Sequence, residues 1–403
     1  METEKEKHSV TFLRYALALV FASVVLPTNL KSIAIGVFAV AVIFNVSQRR
    51  LTFNKQTGYA GIFYVLIALT FFYSNNQEYA LRKLSTLLPL LIFPVLFSLL
   101  NTGEVRQLKK WRRPLLLTYI ITVFLFNLIP FVWLWITHYS FEELIIHYTT
   151  VVRVDFGKYS IHPIYLSMHN GLTILFSFFL IVRKLPKGLI YSLLAVDAVL
   201  LLFLLLFAKK GPLLALLLML GLTLIFHRKN KLFKPYLLIT IVLIGLTIVI
   251  PKTRNKFIEL FSIENVDTGA INSTNIRYSI YTTTINLIQK APVFGYGIGD
   301  YREVLTSQFQ KDGNEMLYEA NYNAHNQYLS FLLIGGVVLL ITFLIYLFIT
   351  GVLAIRYDNQ LLILTLIFYS IVMFTENILE RESGVLYFAL FLSYFGLFNA
   401  KEV

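Results

Sequence analysis

Twelve long apolar runs recur along the whole chain, and they constrain its fold more than any other feature. They cover Phe12–Leu26, Leu30–Val46, Tyr59–Tyr73, Leu84–Leu100, Leu115–Thr137 and Ile161–Val182, then Leu189–Phe207, Pro212–Phe226, Tyr236–Ile250, Gln327–Ile349, Leu361–Phe374 and Val385–Phe398. An ideal bilayer-crossing helix needs about 20 apolar residues. Several runs are shorter, and their ends can shift by a few residues. Hydrophobic residues make up 57% and charged residues 14% of the 403, against about 45–50% and 25% in a soluble domain. A soluble chain of this length would have too little polar surface to cover its core, and disorder is excluded for the same reason. The expected class is an all-α polytopic membrane protein with about twelve spans. Leu26-Pro27-Thr28 offers no small-x-small site, so the first run is not expected to be a cleaved signal.

The charge pattern predicts orientation. The net charge is +13, from 35 Lys and Arg against 22 Asp and Glu. Twenty of the basic residues fall on the side that holds both termini, among them Arg49, Arg50, Lys55, Arg106, Lys109, Lys110, Arg183, Lys184, Arg228 and Lys401. Fifteen fall on the other side, seven of them in the one long loop Pro251–Asn323. Long loops cross regardless of charge, so the short loops decide: both termini are cytoplasmic and the long loop faces outward. Six acids lie inside, 15 outside, and Asp197 within a span. The basic balance is therefore a topology signal, suited to anionic inner-leaflet lipid, and nucleic acid drops out as a partner. Cysteine is absent, which removes disulfides, thiolate metal sites and Cys nucleophiles. The expected organisation is a cytoplasmic tail 1–10, a nine-helix membrane region 11–250, an outer loop 251–323 before the tenth span, a three-helix region 324–399 and a tail 400–403.

Chemistry concentrates on the outer side, where Thr137–Ser160 and Pro251–Asn323 exceed ordinary loop lengths. In the second, Asn272-Ser273-Thr274 can cap a helix over Asn275–Gln289, ended by Ala291-Pro292. Arg277 and Tyr281 lie one turn apart on it. Gly295-Tyr296-Gly297-Ile298-Gly299 resembles a phosphate loop only superficially, since no strand–helix unit surrounds it; a tight connection is the expected role. His325 opens the next span, which is interrupted at Gly335-Gly336. A helix N-terminus disfavours imidazolium, and a neutral imidazole can act as a base. The other reading is an interfacial histidine bonded to a loop carbonyl.

Asn275-x-Arg277-x-x-x-Tyr281, then Ala291-Pro292-x-Phe294-Gly295-x-Gly297, then Ala324-His325-Asn326 with Gly335 nine residues beyond, resembles the O-antigen ligase/polymerase superfamily. The motif-bearing part runs from about Ala208 to Ile349. The resemblance implies a multi-span, GT-C-like glycosyltransferase. It would move a glycan from an undecaprenyl-diphosphate donor, on the periplasmic face of the bacterial inner membrane, to lipid A core in the ligases or to another glycan in the polymerases. It also implies no cofactor or metal, His325 as general base and Arg277 on the diphosphate. A second family arginine maps to Lys210 in Ala208-Lys209-Lys210-Gly211-Pro212. That is a departure, because lysine lacks the bidentate fork, although Lys209 adds charge beside it.

The chemistry suits these types. The acceptor hydroxyl attacks the anomeric carbon while diphosphate leaves; cations stabilise the leaving group and one base takes the proton. Single displacement with inversion is the expected course. Asn326 joins the substrate-binding candidates from the motif, with Tyr281. Arg153 can bind donor or acceptor, or pair with Asp155. Glu376 and Glu380, spaced i,i+4, can bind acceptor, orient His325 or pair with cations. His162 and His169 share a helix face but lack a third ligand. A monomer is compatible with the sequence. Protein-directed transfer shares the same motifs, and a lipid-linked glycan flippase is the rival class; a transporter should bury charges near the midplane, where only Asp197 qualifies.

Overall fold

The computed structural model describes residues 4–23, 25–47, 59–183, 185–226, 233–261, 271–291 and 293–399. Of the positions used above, Arg49, Arg50, Lys55, Lys184, Arg228, Pro292 and Lys401 lie outside them. Each of the twelve apolar runs folds as helix, and the described residues contain no strand. Six helices among them are long and apolar enough to cross a membrane: Thr28–Ser47, Gln77–Ser98, Arg112–Thr137, Pro163–Val182, Lys187–Phe207 and Gln327–Arg356. Leu237–Val249 with Pro251–Ile258, bent by 82°, makes a seventh if the pair is one broken span. Shorter apolar helices are His8–Ser23, Gly61–Tyr73, Lys210–Ile225 and Gln360–Val372. The chain is thus a multi-pass membrane protein, all-helical among the described residues, where six helices, or seven with the bent pair, reach span length and the other apolar runs form shorter helices.

Two compact units form, Met1–Asn54 with Ser98–Arg254, and Lys55–Phe97 with Asn255–Val403. In the first, Pro163–Val182 is the central helix, buried along almost its whole length. It packs against Arg112–Thr137, Lys187–Phe207 and Lys210–Phe226. Polar side chains inside it pair across helices: Ser177 donates to Asp197 at 2.8 Å, and Asn127 to Asn170 at 2.9 Å. Ser177 is thus the partner of Asp197 that the sequence left unnamed. His162 caps the helix and His169 meets the Tyr119 hydroxyl at 2.6 Å, so the two serve packing and capping. The segment Thr137–Ser160, expected as a long loop, is instead largely the helix Phe141–Phe156. A capping box starts it: Ser140 accepts from the Glu143 N–H while Glu143 accepts from the Ser140 N–H. Its buried residues Leu144, Tyr148 and Val151 recur at helical spacing.

In the second unit the Glu382–Gly396 helix is nearly all buried. The long loop is organised into the helices Ser273–Lys290, Tyr301–Lys311 and Glu315–Glu319. The Gln327–Arg356 helix breaks where the glycine pair stands: Gly335 has φ −132° and ψ 17°, and Gly336 φ 61° and ψ −159°. Only glycine adopts the second conformation readily. The break frees carbonyls that a straight helix would use internally. Tyr296 N–H donates to Leu333 O at 2.7 Å and Gly297 N–H to Ile334 O at 2.8 Å. A Cβ on Gly336 would stand 2.2 Å from Val293 O, and one on Gly295 2.5 Å from Leu333 O. The glycine-rich segment is therefore a splice onto a broken helix, and the close backbone contacts are reason enough for its glycines. Its far end holds the turn at 70–76: Ile298 and Gly299 N–H donate to Thr70 and Ser74 hydroxyls, and Asp300 accepts from the Asn75 and Asn76 N–H groups at 2.8 Å.

Gly336→Ala tests this splice. Strain in that backbone region costs about 1–3 kcal/mol and overpacking a further ~1–3 kcal/mol. The expected result is a lower midpoint of thermal unfolding in detergent. Gly36→Ala should leave the midpoint unchanged or raise it, since a Cβ on Gly36 meets nothing within 4 Å.

Candidate active site

The Ser273–Lys290 helix begins at Asn272, whose side chain accepts from the Thr274 and Asn275 N–H groups at 2.9 and 3.0 Å. That cap fixes where the helix starts and hence which face carries Arg277 and Tyr281. The next helix is capped in the same manner by Asn326, which accepts from the Tyr328 and Leu329 N–H groups at 2.9 and 3.1 Å. His325 therefore stands just outside the cap, with φ 45°. Histidine tolerates the left-handed region better than most residues do, but the conformation has to be held by its surroundings. Two bonds hold its backbone. The His325 N–H donates to Asn323 Oδ1 at 3.0 Å, and the Tyr281 hydroxyl lies 3.1 Å from His325 O. That hydroxyl shares its proton with Phe374 O at 3.0 Å, and Asn326 Nδ2 donates to the same carbonyl at 3.1 Å. Burial pushes the Tyr281 phenol above its ordinary value, which keeps it a neutral donor.

Glu376 joins the two residues of greatest interest. Its Oε2 lies 3.4 Å from His325 Nδ1, and its Oε1 accepts from Arg277 Nη2 at 2.5 Å. Arg277 also donates from Nε to Thr375 O at 3.3 Å and from Nη1 to Ser273 O at 3.1 Å. A guanidinium has five N–H groups, so two remain for an anion. Arg277 is 24% exposed, His325 25% and Glu376 15%, so an opening reaches the cluster. Burial pushes the Glu376 carboxyl up, but the bond from His325 and the Arg277 charge outweigh it, so it sits below its ordinary value and is ionised. A carboxylate at Nδ1 holds the proton on that nitrogen and leaves the Nε2 lone pair to accept another. The ring's state is thus set by this carboxylate as well as by the helix N-terminus.

Glu380 takes separate partners. The Gln360–Val372 helix stops before either acid, and Ile378–Glu380 is a single 3-10 turn, so the expected helical i,i+4 pair does not form. Glu380 Oε1 accepts from Arg302 Nη1 at 3.0 Å and from Tyr301 OH at 3.3 Å, and Lys83 Nζ lies 3.5 Å from it. Oε2 accepts from Asn377 Nδ2 at 2.9 Å and from Asn323. Burial pushes this carboxyl up too, and Arg302, Lys83 and the amide donors bring it below its ordinary value.

Of the expected site residues, the structure brings His325, Arg277, Tyr281, Asn326 and Glu376 into one cluster, with Glu380 joined to it through Asn323. Tyr281 and Asn326 act in it through backbone carbonyls and a helix cap. Lys209, Lys210 and Arg153 belong to the first unit. Lys209 and Lys210 are half-buried, at the start of the Lys210–Phe226 helix, and Arg153 is exposed in the last turn of Phe141–Phe156. Lys83, Arg302 and Asn323 were not singled out from sequence. Asn323 stands in the Asn321-Tyr322-Asn323 run beside the His motif, which was the available signal; Lys83 and Arg302 carry none.

No curated protein gives a significant match to the chain. Residues 195–344 match the family model described as O-antigen ligase. That segment, which holds Lys209, Lys210, Arg277, Tyr281, His325 and Asn326, is the part of the chain that is similar to the O-antigen ligase family.

Proposed function

We propose that the chain is an O-antigen ligase-like glycosyltransferase. It moves a glycan from an undecaprenyl-diphosphate donor to an acceptor, lipid A core in this reading, at the periplasmic face of the bacterial inner membrane. The twelve apolar helices then all lie in the bilayer, with both termini cytoplasmic and the 251–323 segment outside. The observation that carries the reading is the joint hold of Glu376 on His325 Nδ1 and Arg277 Nη2 in a partly exposed cluster.

Those positions suit one inverting displacement. His325 Nε2 takes the proton of the acceptor hydroxyl. The oxygen's electron pair forms the new bond to the anomeric carbon as the bond from that carbon to the diphosphate oxygen breaks. The broken bond's electrons leave with undecaprenyl diphosphate. The charge that arrives on the imidazole faces Glu376, which stabilises it. The charge that grows on the leaving phosphate faces the two remaining Arg277 donors. In this reading Lys209, Lys210 and Arg153 are further candidate contacts for donor or acceptor.

The test is transfer by the purified chain in proteoliposomes, with the lipid-linked donor extracted from the host strain and with candidate acceptors. A product on lipid A core supports ligation. Lengthened lipid-linked chains assign the same chemistry to a polymerase, and glycosylated protein assigns it to protein-directed transfer. Movement of the donor across the bilayer with no new glycosidic bond overturns the reading in favour of a flippase.

A further inference from the structure

The segment 321–325 has two non-glycine residues in the left-handed region, Asn321 with φ 48° and His325 with φ 45°. Both are bound by groups that Glu380 holds. Arg302 donates from Nη1 to Glu380 at 3.0 Å, from Nε to Asn321 Oδ1 at 2.9 Å and from Nη2 to the Asn321 carbonyl. Asn323 donates from Nδ2 to Glu380 and accepts the His325 N–H on Oδ1. The orientation of that amide follows from chemistry. An ionised carboxylate only accepts, so the NH2 end must face Glu380 and the oxygen is left for the backbone N–H. Glu380 is 10% exposed and is itself fixed by Lys83, Tyr301 and Asn377, which come from other parts of the unit.

We propose that Asn323 and Glu380 are positioning residues for His325: the carboxylate orients the Asn323 amide, and the amide holds the His325 backbone in the left-handed conformation that aims its ring at Glu376. The proposal rests on the reading of His325 as the base. The direction of Cβ at position 325 follows from its φ and ψ, so relaxing φ to a negative value swings the imidazole away from Glu376 and from an acceptor hydroxyl. Both carboxylates stay ionised at neutral pH, Glu380 because burial is outweighed by Arg302, Lys83 and its amide donors. The arrangement therefore persists at the pH at which a histidine base works.

The test exchanges amide and carboxylate. Asn323→Asp puts two carboxylates against each other, and Glu380→Gln lets the Asn323 amide flip. The double variant Asn323→Asp/Glu380→Gln restores the Asn323 contact in reverse, with the Asn377 amide turned so that its oxygen meets the new NH2: the carboxylate at 323 accepts from both the new amide and the His325 N–H, and the local charge is unchanged. With the extracted lipid-linked donor in proteoliposomes, each single variant should lower kcat by up to about 10², the scale of a misplaced reacting group. KM for the donor should be little changed, and the acid limb of the kcat–pH profile should shift. The double variant should recover most of kcat and the original profile. Single variants that fold and keep the wild-type kcat and pH profile overturn the inference, as does a folded double variant no faster than the singles. A rise in KM alone overturns it too. If a single variant fails to fold, the double decides by the same criterion. His325→Asn separates this from the larger reading: full activity there removes the base assignment itself, whereas an inactive His325→Asn beside fully active single variants removes only the positioning role.

Discussion

His325→Asn lowers the transfer rate by about 10²–10⁴, the range a general base contributes, while the protein folds as before. Asparagine is the more informative replacement because it also accepts the left-handed backbone that position 325 adopts, at φ 45°. The capping bonds of Asn326 and the backbone bonds from Asn323 and Tyr281 do not use the imidazole, so the backbone there stays held, although Glu376 Oε2 loses its contact with Nδ1. His325→Ala should lose the same activity with some added loss of stability, since alanine has no side-chain means of settling in that backbone region. The measurement is initial transfer rate in proteoliposomes, with thermal unfolding in detergent as the check on folding. Either variant at the full rate would remove the imidazole from the chemistry.

The second large effect belongs to Arg277. Arg277→Ala and Arg277→Lys should each lower the transfer rate by about 10²–10³, as when one oxyanion contact is lost. Lysine is not expected to rescue, because one ammonium cannot bond Glu376, Thr375 O and Ser273 O together and still present two donors to phosphate. Removing the guanidinium also strips Glu376 of a partner, a cost of about 1–3 kcal/mol for a poorly satisfied buried acceptor. The double variant Arg277→Gln/Glu376→Gln relieves that unpaired charge. It should recover part of the unfolding midpoint while transfer stays low. Recovery of transfer as well would mean that Arg277 serves only to neutralise Glu376.

What could be read from the sequence was whatever is local. Asn272 announced a helix start by the preference of a short amide for the cap, and that cap is present; Asn326, read as a substrate-binding candidate, caps the next helix. Gly335-Gly336 announced an interruption, and the helix breaks there. Arg277 and Tyr281, one turn apart, share a helix face and both reach the His325 region, Arg277 through Glu376 and Tyr281 through the His325 carbonyl. The Phe141–Phe156 helix was missed although its signal was present: Ser140 with Glu143 three residues on is a capping box followed by helically spaced apolar residues. The acids 376 and 380 were placed in the right neighbourhood with the wrong geometry, because the spacing assumed a helix that ends at Val372. Lys83 and Arg302 had no local mark. They reach Glu380 from distant parts of the chain, and only the folded unit brings those parts together.

The glycine splice has a consequence for anyone who wishes to alter what this protein accepts. The segments 293–300 and 327–338 join through main-chain bonds, and 70–76 is tied to 293–300 through the side chains of Thr70, Ser74 and Asp300, at contact distances that leave no room for a β-carbon at Gly295, Gly299 or Gly336. Grafting one of them from a relative without the other two would put mismatched backbones at the joint, so a chimaera has to carry all three as a single cassette. By contrast a Cβ at Gly313 meets nothing within 4 Å, and the tip between Tyr301–Lys311 and Glu315–Glu319 is where extra residues can be inserted without disturbing that joint.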